Sequence, residues 1–578
     1  MEAKRDPSGA SIFGLLKSYS FIIVGLIVLT ILANGLSLIV PKIVSFAIDS
    51  YTSGTFDLVL ILEEFFAVSF FIFAFTYGQS IAQTYASERV ARDLRAEIIA
   101  KISKQDYAYI ERATPSKLLT NLTSDVDAVK TFVSQAIASM VSSVFLIIGA
   151  SILLFLIDWK LALAVLSVVP IIGIVFSFVF RKVRSLFKVS QETIDWLNKI
   201  INESILGAAL IRLLNSQSHE YTKFIEANTK AKEIGLSILS LFATLIPIIT
   251  FTSNIAILVI LMLGGHFVIT GSMSLGDFAA FNGYLSILIF PIIIIGFMSS
   301  VIAQATASYS RILEVLNAPE KKEQGNVIHN LQGNIEVEKV SLIFSEKTIL
   351  KDISFSIRAK SRTAIMGPTA AGKTQLLYLL TGLLPPTSGS IRYDGTDIGS
   401  LDKISFHNQI GLVFQDSIIF NLTLRENIAF SNNVDDKSLK KAIDTAELRD
   451  FIDSLPDRLD TVVSERGSSL SGGQKQRIML ARALALDPKI LLLDDFTARL
   501  DAATEKKILE NVRSNYPEIT LISITQKIEA VEDYDQIILL MEGETLAIGT
   551  HGELMGTSPE YVQIYNSQQS THAYELPA

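Results

Sequence analysis

The most constraining feature of this sequence is a series of six long apolar stretches within its first 301 residues. A helix of about 20 apolar residues crosses the hydrocarbon core of a bilayer. Six such stretches so close together argue against the alternative of buried helices in a soluble protein. They cover residues 21–44, 58–82, 132–157, 161–180, 236–269 and 278–301. We therefore predict an all-α membrane domain of six helices over residues 1–316.

The composition excludes several classes of function. The chain has no cysteine, which excludes disulfides, iron–sulfur clusters and cysteine-bound zinc. Its six histidines are scattered, so a histidine metal cluster is not expected. The formal net charge of −8 argues against nucleic acid as a main partner. The expected partner of the apolar stretches is the lipid bilayer.

The positions of lysine and arginine predict the orientation in the membrane. Residues 83–130 carry eight basic side chains and residues 181–235 carry nine, whereas the opposite loops are short and hold Lys160, with Lys42 near that side. We predict that the N-terminus, both long connections and everything after the last span are cytoplasmic. The expected location is the cytoplasmic (inner) membrane, as a multi-pass protein.

Both long connections are expected to be helical, with turn-like tips near residues 105–111 and 204–209. Such tips either dock on a cytoplasmic domain or form solvated hairpins. The spans themselves carry almost no charge, apart from Glu63 and Glu64 early in the second. Because ion and proton relays need intramembrane charges, an ion-coupled carrier is not favoured. The energy for any transport is expected from elsewhere in the chain.

The composition changes in a polar linker over residues 317–334. Short β-rich runs then alternate with helical ones, the pattern of an α/β domain. We place this domain at residues 335–565 and a polar tail at residues 566–578.

The run from Gly367 to Thr374 matches the phosphate-loop pattern G-x-x-x-x-G-K-[ST], between a predicted strand and a predicted helix. Its glycines allow backbone N–H groups to surround a phosphate at a helix N-terminus. Lys373 is expected to reach the β- and γ-phosphates, and Thr374 to offer its hydroxyl to Mg²⁺. The other residues of the loop are Pro368, Thr369, Ala370, Ala371 and Gly372.

A second predicted element is an apolar strand at residues 490–494 that ends in Asp494, the Walker B arrangement. It places this carboxylate in the Mg²⁺ shell. Between the two motifs lies the run LSGGQ at residues 470–474, which alone could be only a glycine turn before a helix.

With these motifs and its six apolar stretches, the chain resembles one half of an ATP-binding-cassette (ABC) exporter over nearly its whole length. The resemblance implies a type I ABC exporter fold, in which six transmembrane helices precede an α/β P-loop cassette. It also implies ATP and Mg²⁺ as cofactors and an ABC-type ATPase coupled to transmembrane transport.

The family's roles carry over to individual residues. Phe344 takes the adenine-stacking position, Gln415 touches Mg²⁺ and senses the membrane domain, and Asp501 is the D-loop aspartate. Residues 464–467 resemble the X-loop, which meets the cytoplasmic tips. The signature residues, which close over ATP held by the other cassette of a dimer, are Ser471, Gly472, Gly473 and Gln474.

Two positions depart from the family pattern. Asp495 replaces the glutamate that polarises the attacking water, and Gln526 replaces the switch histidine. Glutamine can hydrogen-bond a phosphate but cannot carry the charge or proton of an imidazole. A general base contributes about 10²–10⁴-fold to a rate, so we expect this site to bind MgATP and hydrolyse it slowly. The pattern resembles the degenerate-site subunit of heterodimeric bacterial multidrug exporters.

We therefore predict ATP-driven export by a heterodimer. The expected partner to be transported is a small lipophilic or amphipathic substrate, because the spans carry little charge. This chain's signature loop would complete the site of a second half-transporter that has the glutamate and the histidine. Lipid flippases and peptide or siderophore transporters use the same scaffold and remain alternatives. An ATP-gated channel or a regulatory subunit is a further alternative of a different class.

Overall fold

The computed structural model describes residues 12–320, 325–344, 347–431, 434–464 and 467–574. The chain forms two compact units. One comprises Met1–Lys104 with Ala113–Pro319, and the other comprises Gln105–Arg112 with Glu320–Ala578. Segments of three regions predicted from the sequence lie outside the described residues. They are residues 321–324 of the linker, Glu465 and Arg466 of the X-loop, and residues 575–578 of the tail.

The N-terminal half is helical, as the apolar stretches predict. Its helices are α1 (Ile12–Leu16), α2 (Ser20–Thr52), α3 (Leu58–Ser103), α4 (Tyr107–Ala113), α5 (Pro115–Thr120), α6 (Val126–Thr131), α7 (Ile137–Ile157), α8 (Trp159–Leu166), α9 (Val168–Leu206), α10 (Ala208–Leu213), α11 (Gln217–Val259), α12 (Gly265–Ile269) and α13 (Leu275–Leu316). π-helical turns join α5, α6 and α7 into one long helix, and another joins α11 to α12.

Five helices among the described residues are long and apolar enough to cross a membrane. They are Gly14–Thr52, Leu58–Ser103, Pro115–Ile157, Gln217–Ile269 and Leu275–Leu316. The predicted stretch at 161–180 falls instead on α8 and α9, with Ser167 between them. Pro170, in the first turn of α9, has no N–H to donate to the carbonyl of Leu166, which explains the break. The count of six spans stays a prediction.

The long connections are helical, which confirms that expectation. The helix α3 has 46 residues and is therefore about 69 Å long at 1.5 Å per residue. The hydrocarbon core of a bilayer is about 30 Å thick, so a large part of α3 lies beyond it. Residues 83–103, the first part of the basic connection, belong to this extension.

A polar junction fixes the start of α13 against α2. The carboxylate of Asp49 accepts hydrogen bonds from the Ser274 hydroxyl at 2.7 Å and from the Gly276 N–H at 2.8 Å. A side chain at Gly276 would overlap the carbonyl oxygen of Ser45, so only glycine permits this close approach.

The second unit is an α/β domain. Its strands are β1 (Ile335–Phe344), β2 (Lys347–Ile357), β3 (Arg362–Met366), β4 (Ser388–Tyr393), β5 (Thr396–Asp397), β6 (Ile410–Val413), β7 (Ile490–Asp494), β8 (Thr520–Ile524), β9 (Gln536–Met541) and β10 (Glu544–Gly549). Its helices after α4 are α14 (Lys373–Leu380), α15 (Lys403–His407), α16 (Leu424–Ile428), α17 (Asp436–Thr445), α18 (Arg449–Asp453), α19 (Gly472–Leu484), α20 (Ala502–Asn515), α21 (His551–Thr557) and α22 (Pro559–Tyr574).

The larger sheet has the order β10-β9-β3-β8-β7-β6, and the smaller has the order β2-β1-β4-β5. Strands β9, β3, β8, β7 and β6 pair in parallel. Every residue of β7 is buried, and its side chains alternate between two hydrophobic cores, with Leu491 and Leu493 in one and Ile490 and Leu492 in the other. Such an apolar run, covered on both faces, is typical of a parallel strand.

Parts of the predicted linker and of the predicted polar tail belong to the folded domain. Leu331, within the predicted linker, is buried in a core of the second unit, and Val327 bridges to Leu401. Residues 566–574, within the predicted polar tail, continue the helix α22.

Candidate functional site

Four segments that the sequence singled out follow neighbouring parallel strands. The phosphate loop follows β3, Gln526 follows β8, Asp495 follows β7 and Gln415 follows β6. Asp494 pairs with Ile524, and Ile365 also pairs with Ile524, so the three central strands end in register. Ligands of α/β sheets bind at the carboxyl ends of the strands. The sheet therefore brings these four segments to one edge.

The phosphate loop has the backbone of an anion cradle. Gly367, Ala370 and Gly372 have positive φ angles of 150°, 66° and 91°. A Cβ at Gly367 would overlap the carbonyl oxygen of Leu540, so this position requires glycine. The helix α14 begins at Lys373, directly after Gly372. Its first N–H groups therefore face the loop, where they favour a bound phosphate.

The lysine of this loop is held inside it. Lys373 Nζ donates hydrogen bonds to the carbonyl oxygens of Gly367 and Pro368, both at 2.8 Å. Burial lowers the pKa of Lys373, and the nearby carboxylates of Asp495 and Asp494 oppose that shift. The ammonium group is thus placed beside two acidic side chains and within the cradle, where phosphate oxygens are better acceptors than carbonyls.

Asp494 has the properties of a metal ligand. Its side chain is buried, and its Oδ2 has no hydrogen-bond partner among the described residues. Burial raises the pKa of the Asp494 carboxyl, while a hydrogen bond from the Thr374 side chain opposes the rise. No group of three His, Cys, Asp or Glu that could hold a metal occurs in the described part of the chain. Mg²⁺ takes one or two protein ligands and completes its shell with phosphates and water, so a single buried carboxylate is compatible with it.

Asp495 lies directly after this ligand and has a different environment. It is half-buried, its φ is +45°, and its N–H donates to the carbonyl of Ile524 at 3.0 Å. Aspartate tolerates this left-handed conformation better than most residues do. The backbone of Asp495 is thus hydrogen-bonded to the end of β8, and only its short side chain extends from the edge of the sheet.

Gln526 lies next to the phosphate loop. Its Nε2 is 3.5 Å from the Thr369 hydroxyl, at the limit of hydrogen bonding. Its carbonyl accepts a hydrogen bond from Gln568 Nε2 at 2.5 Å, and Gln568 Oε1 accepts one from the N–H of Ile528 at 2.9 Å. Sequence reasoning missed Gln568, because it lies in the predicted tail and no motif marks it.

The signature residues begin a helix. Ser471 caps α19 in a reciprocal capping box with Gln474, and the Ser471 side chain is exposed. Gly472 and Gly473 pack against Arg499 and the neighbouring Leu500, and a Cβ at Gly472 would be 3.1 Å from Arg499 Cδ. The glycines therefore allow α19 to lie close to the turn before Asp501.

Asp501 caps the next helix, α20, by accepting from the N–H of Thr504 at 2.9 Å. This hydrogen bond lowers the pKa of the Asp501 carboxyl. Asp501 is thus held as a carboxylate beside the start of α19. No hydrogen bond joins Ser471 to Lys373 or Asp494 in the part of the chain that the structure describes.

The remaining predicted residues lie at strand ends. Phe344 is the half-buried last residue of β1, and Gln415 is exposed two residues after β6. The ring of Phe414, just before Gln415, packs on Tyr378 at 6.2 Å. Tyr107, in the first predicted tip, packs on the same Tyr378 at 5.3 Å. This tip belongs to the second unit, which favours the docked alternative over a solvated hairpin.

Comparisons with known proteins agree with this architecture. Residues 21–292 match the ABC transporter transmembrane region, and residues 350–498 match the ABC transporter cassette. The ABC transporter ATP-binding protein YfiB of Bacillus subtilis is 36% identical over 495 residues, which are 85% of this chain and 86% of that protein.

Two further relatives carry functional names. The ATP-dependent lipid A-core flippase of Syntrophus aciditrophicus is 30% identical over 497 residues, 85% of this chain and 83% of the flippase. The probable multidrug resistance ABC transporter YheI of Bacillus subtilis is 30% identical over 564 residues, 95% of both proteins.

A solved structure has the same fold. A bacterial Atm1-family ABC exporter with ATP bound superposes with a TM-score of 0.77 at 23% identity, covering 95% of this chain and 98% of that one. ABC exporters work as dimers with another half-transporter. The chain is a member of the ABC transporter family: a multi-pass membrane exporter half whose ATP-binding cassette is an ATPase coupled to transport.

Proposed function

We propose that this chain is the degenerate-site half of a heterodimeric exporter of lipophilic or amphipathic compounds in the cytoplasmic membrane. The observation that carries the proposal is the pair of residues at the edge of the sheet. Asp495 takes the place of the catalytic base and Gln526 that of the switch histidine, while the phosphate loop, Asp494 and the signature run are intact.

The residues present fit MgATP. The amide groups of residues 367–374 and Lys373 would hold the phosphates, Phe344 would stack on the adenine, and Thr374, Gln415 and Asp494 would hold Mg²⁺. The bound cation would neutralise phosphate charge. The unpartnered Oδ2 of Asp494 supports this assignment, because a buried carboxylate oxygen without a donor is costly unless a ligand completes it.

The same residues would bind ATP without hydrolysing it quickly. The Asp495 carboxylate is one methylene shorter than glutamate, and a misplacement near 1 Å can cost about 100-fold in rate. Its backbone is tied to Ile524, so the chain cannot advance to compensate. Gln526 can hydrogen-bond a phosphate but offers no positive charge. A slow site of this kind would act as a clamp that holds the cassettes together.

A second chain would supply the working site. Ser471–Gln474 would close over ATP held by the partner, and Asp501 would lie at the same interface. The second tip and the residues just after it support a partner, because their apolar side chains are exposed in this chain. Ile205, Leu206, Leu210, Leu213 and Leu214 are between 58% and 80% exposed. Exposed apolar groups of this size mark interaction surfaces.

A lipid flippase is the second candidate for the transported class. It is favoured by the 30% identity to the lipid A-core flippase over 85% of this chain. Peptide or siderophore export and an ATP-gated or regulatory role have no comparable support.

The test of the proposed function is steady-state ATP hydrolysis by the purified chain, alone and with its candidate partner. We expect the chain alone to bind ATP and hydrolyse it poorly, and the pair to hydrolyse ATP with substrate stimulation. Lys373→Ala controls for contaminating ATPases. Robust, substrate-stimulated hydrolysis by the chain alone, lost in Lys373→Ala, would refute the heterodimer.

A further inference from the structure

The second unit contains a small cavity beside the edge of the sheet that carries the nucleotide-binding segments. Its volume is about 10 Å³, the lower limit for holding one water molecule. Leu493 and Phe496, which line it, precede and follow the two adjacent aspartates. Thr525 lines it from the segment that carries Gln526. The cavity therefore lies next to both segments whose residues depart from the family pattern.

One of the lining residues is a carboxylate that the nucleotide chemistry does not use. Glu505 is 7% exposed and lies in the first turn of α20. Its N–H donates to the carbonyl of Asp501 at 2.9 Å. Glutamate is rarely buried unless partners hold it, because a buried charge is costly without hydrogen-bond donors. The groups that share the cavity with Glu505 are therefore informative.

Three hydroxyl groups share the cavity with this carboxylate, those of Ser523, Thr525 and Tyr534. The Tyr534 hydroxyl is 3.0 Å from Ser523 Oγ, so one of the two keeps its proton for another acceptor. Thr525 Oγ1 accepts from the N–H of Lys527 at 3.1 Å and donates to no other group among the described residues. Burial raises the pKa of the Tyr534 hydroxyl to about 12, and the charge of Glu505 adds to the rise. Two hydroxyl protons are thus available close to the carboxylate.

We propose that this cavity binds one ordered water molecule, and that Glu505 acts through it as a positioning residue for Gln526. The water would donate to the Glu505 carboxylate and accept from the Thr525 hydroxyl. Buried waters usually make about three hydrogen bonds, and the carboxylate and the hydroxyls supply them. Thr525 in turn holds the N–H of Lys527. Gln526 therefore lies between two residues whose positions the water bridge fixes.

This inference rests on the proposed function and adds a regulation of the same site. In the proposed dimer, Asp501 lies at the interface with the second cassette. Asp501 and Glu505 are joined within one helical turn. A shift of Asp501 on closure of the cassettes would reach Gln526 through Glu505 and the water. The hold of Gln526 on the γ-phosphate would then depend on the partner.

The test is equilibrium binding of MgATP and of MgADP to the purified full-length chain, by calorimetry. The readout is the ratio of the two dissociation constants, because Gln526 would touch only the γ-phosphate, which ADP lacks. Glu505→Met keeps the length of the side chain and removes its polar atoms. We expect the preference for MgATP to fall about fivefold in this variant, the worth of one net hydrogen bond, with MgADP binding unchanged. Equal losses for both nucleotides would show a merely structural role and overturn the proposal.

Matched variants assign the effect to the cavity. Glu505→Gln keeps the hydrogen-bonding atoms and should restore most of the preference. Thr525→Val removes the other end of the bridge with little change of shape and should lower the preference as Glu505→Met does. Glu510→Met makes the same change at an exposed position of the same helix and should have no effect. If it lowered the preference equally, the cavity would not be responsible.

A double variant tests whether Glu505 acts through Gln526. Glu505→Met with Gln526→Ala should lose no more of the preference than Gln526→Ala alone, because residues in one network are not additive. Additive losses would contradict the proposal. If Gln526→Ala alone left the preference unchanged, the proposed contact of Gln526 with phosphate would be wrong. Hydrogen exchange would then decide on Glu505.

Hydrogen exchange at the amide of Lys527 measures the positioning directly and needs no nucleotide. Exchange should be about fivefold faster in Glu505→Met and in Thr525→Val, and close to that of the unchanged chain in Glu505→Gln. Unchanged exchange in the first two variants would refute the positioning role. In a high-resolution map of the full-length chain, one water should lie within hydrogen-bonding distance of both Glu505 and Thr525. An empty cavity in that map would overturn the water site.

Discussion

Asp494 and Asp495 are adjacent carboxylates that the fold holds in different ways. Asp494 ends a fully buried strand with an unpartnered Oδ2, whereas Asp495 is half-buried with a left-handed backbone. Burial raises the pKa of the Asp494 carboxyl, and a nearby cation would oppose this shift by stabilising the carboxylate. The first residue is therefore suited to hold a cation, and the second can act on water only through a shortened side chain.

Replacing Asp495 should have little effect in the hetero-pair. Since the working site is proposed to lie on the partner's phosphate loop, Asp495→Ala should change steady-state ATP hydrolysis less than about twofold, against the 10²–10⁴-fold loss expected for a working base. Ser471→Ala should reduce it more, because that residue would serve the partner's ATP and because it breaks the capping box of α19. If Asp495→Ala were as damaging as replacing the partner's glutamate by glutamine, Asp495 would be a working base.

Replacing Asp494 should remove the dependence of ATP binding on Mg²⁺. In the unchanged chain, chelation of Mg²⁺ should weaken ATP binding, because the cation joins the phosphates to Asp494. In Asp494→Asn, the ratio of the ATP dissociation constants measured with and without chelator should be at least about tenfold smaller than in the unchanged chain. Even outer-shell partners of metals contribute 10- to 100-fold to affinity. The measurement is binding of a fluorescent ATP analogue with and without chelator. Asp495→Asn is the matched control, and an equal effect of that control would contradict the assignment.

At the scale of elements, the helix α22 reaches back to the segment after β8. The single side chain of Gln568 joins the carbonyl of Gln526 and the N–H of Ile528. The helix is anchored by buried Tyr561, whose hydroxyl is 2.9 Å from His551 Nδ1. The end of the chain thus positions the residue in the switch place, beside the phosphate loop.

Gln568→Ala should loosen this segment. Two net hydrogen bonds of about 0.5–1.5 kcal/mol each are lost, so local opening should become about tenfold easier or more. The measurement is native-state hydrogen exchange at the amide of Ile528. Gln569→Ala is the control, because among the described residues Gln569 Nε2 has one hydrogen bond, to the Tyr565 hydroxyl at 3.4 Å. Unchanged exchange at Ile528 in Gln568→Ala would show that the main chain alone holds the loop.

The elements also show which parts of the structure could be predicted from sequence. Strands β3 and β7 and their loops could be predicted, because their glycines, lysine and carboxylate have local backbone and burial requirements. The break before α9 was missed, since hydropathy counts Pro170 as one residue among many while the helix loses a hydrogen bond there. The role of Gln568 could not be predicted, because it depends on a tertiary contact 42 residues away.

At the scale of the whole molecule, a single chain leaves two candidate interaction surfaces exposed. The signature run has an exposed serine at a helix start. The second tip and the residues just after it have exposed apolar side chains between positions 205 and 214. The first tip, by contrast, is covered within the second unit through Tyr107 and Tyr378. A dimer would cover both of these exposed surfaces if both lie on the side of the membrane that holds the cassette.

The orientation is open to a direct test, because the chain has no cysteine. Single cysteines at Ser53 and Gln217 would both be exposed, one after α2 and the other at the start of α11 close to the second tip. An impermeant maleimide added to intact cells should label Ser53→Cys and spare Gln217→Cys, since the basic connections are expected to remain cytoplasmic. Permeabilised cells should label both, which controls for reactivity. Labelling of Gln217→Cys but not Ser53→Cys in intact cells would reverse the orientation, and the second tip could then not meet a partner's cassette.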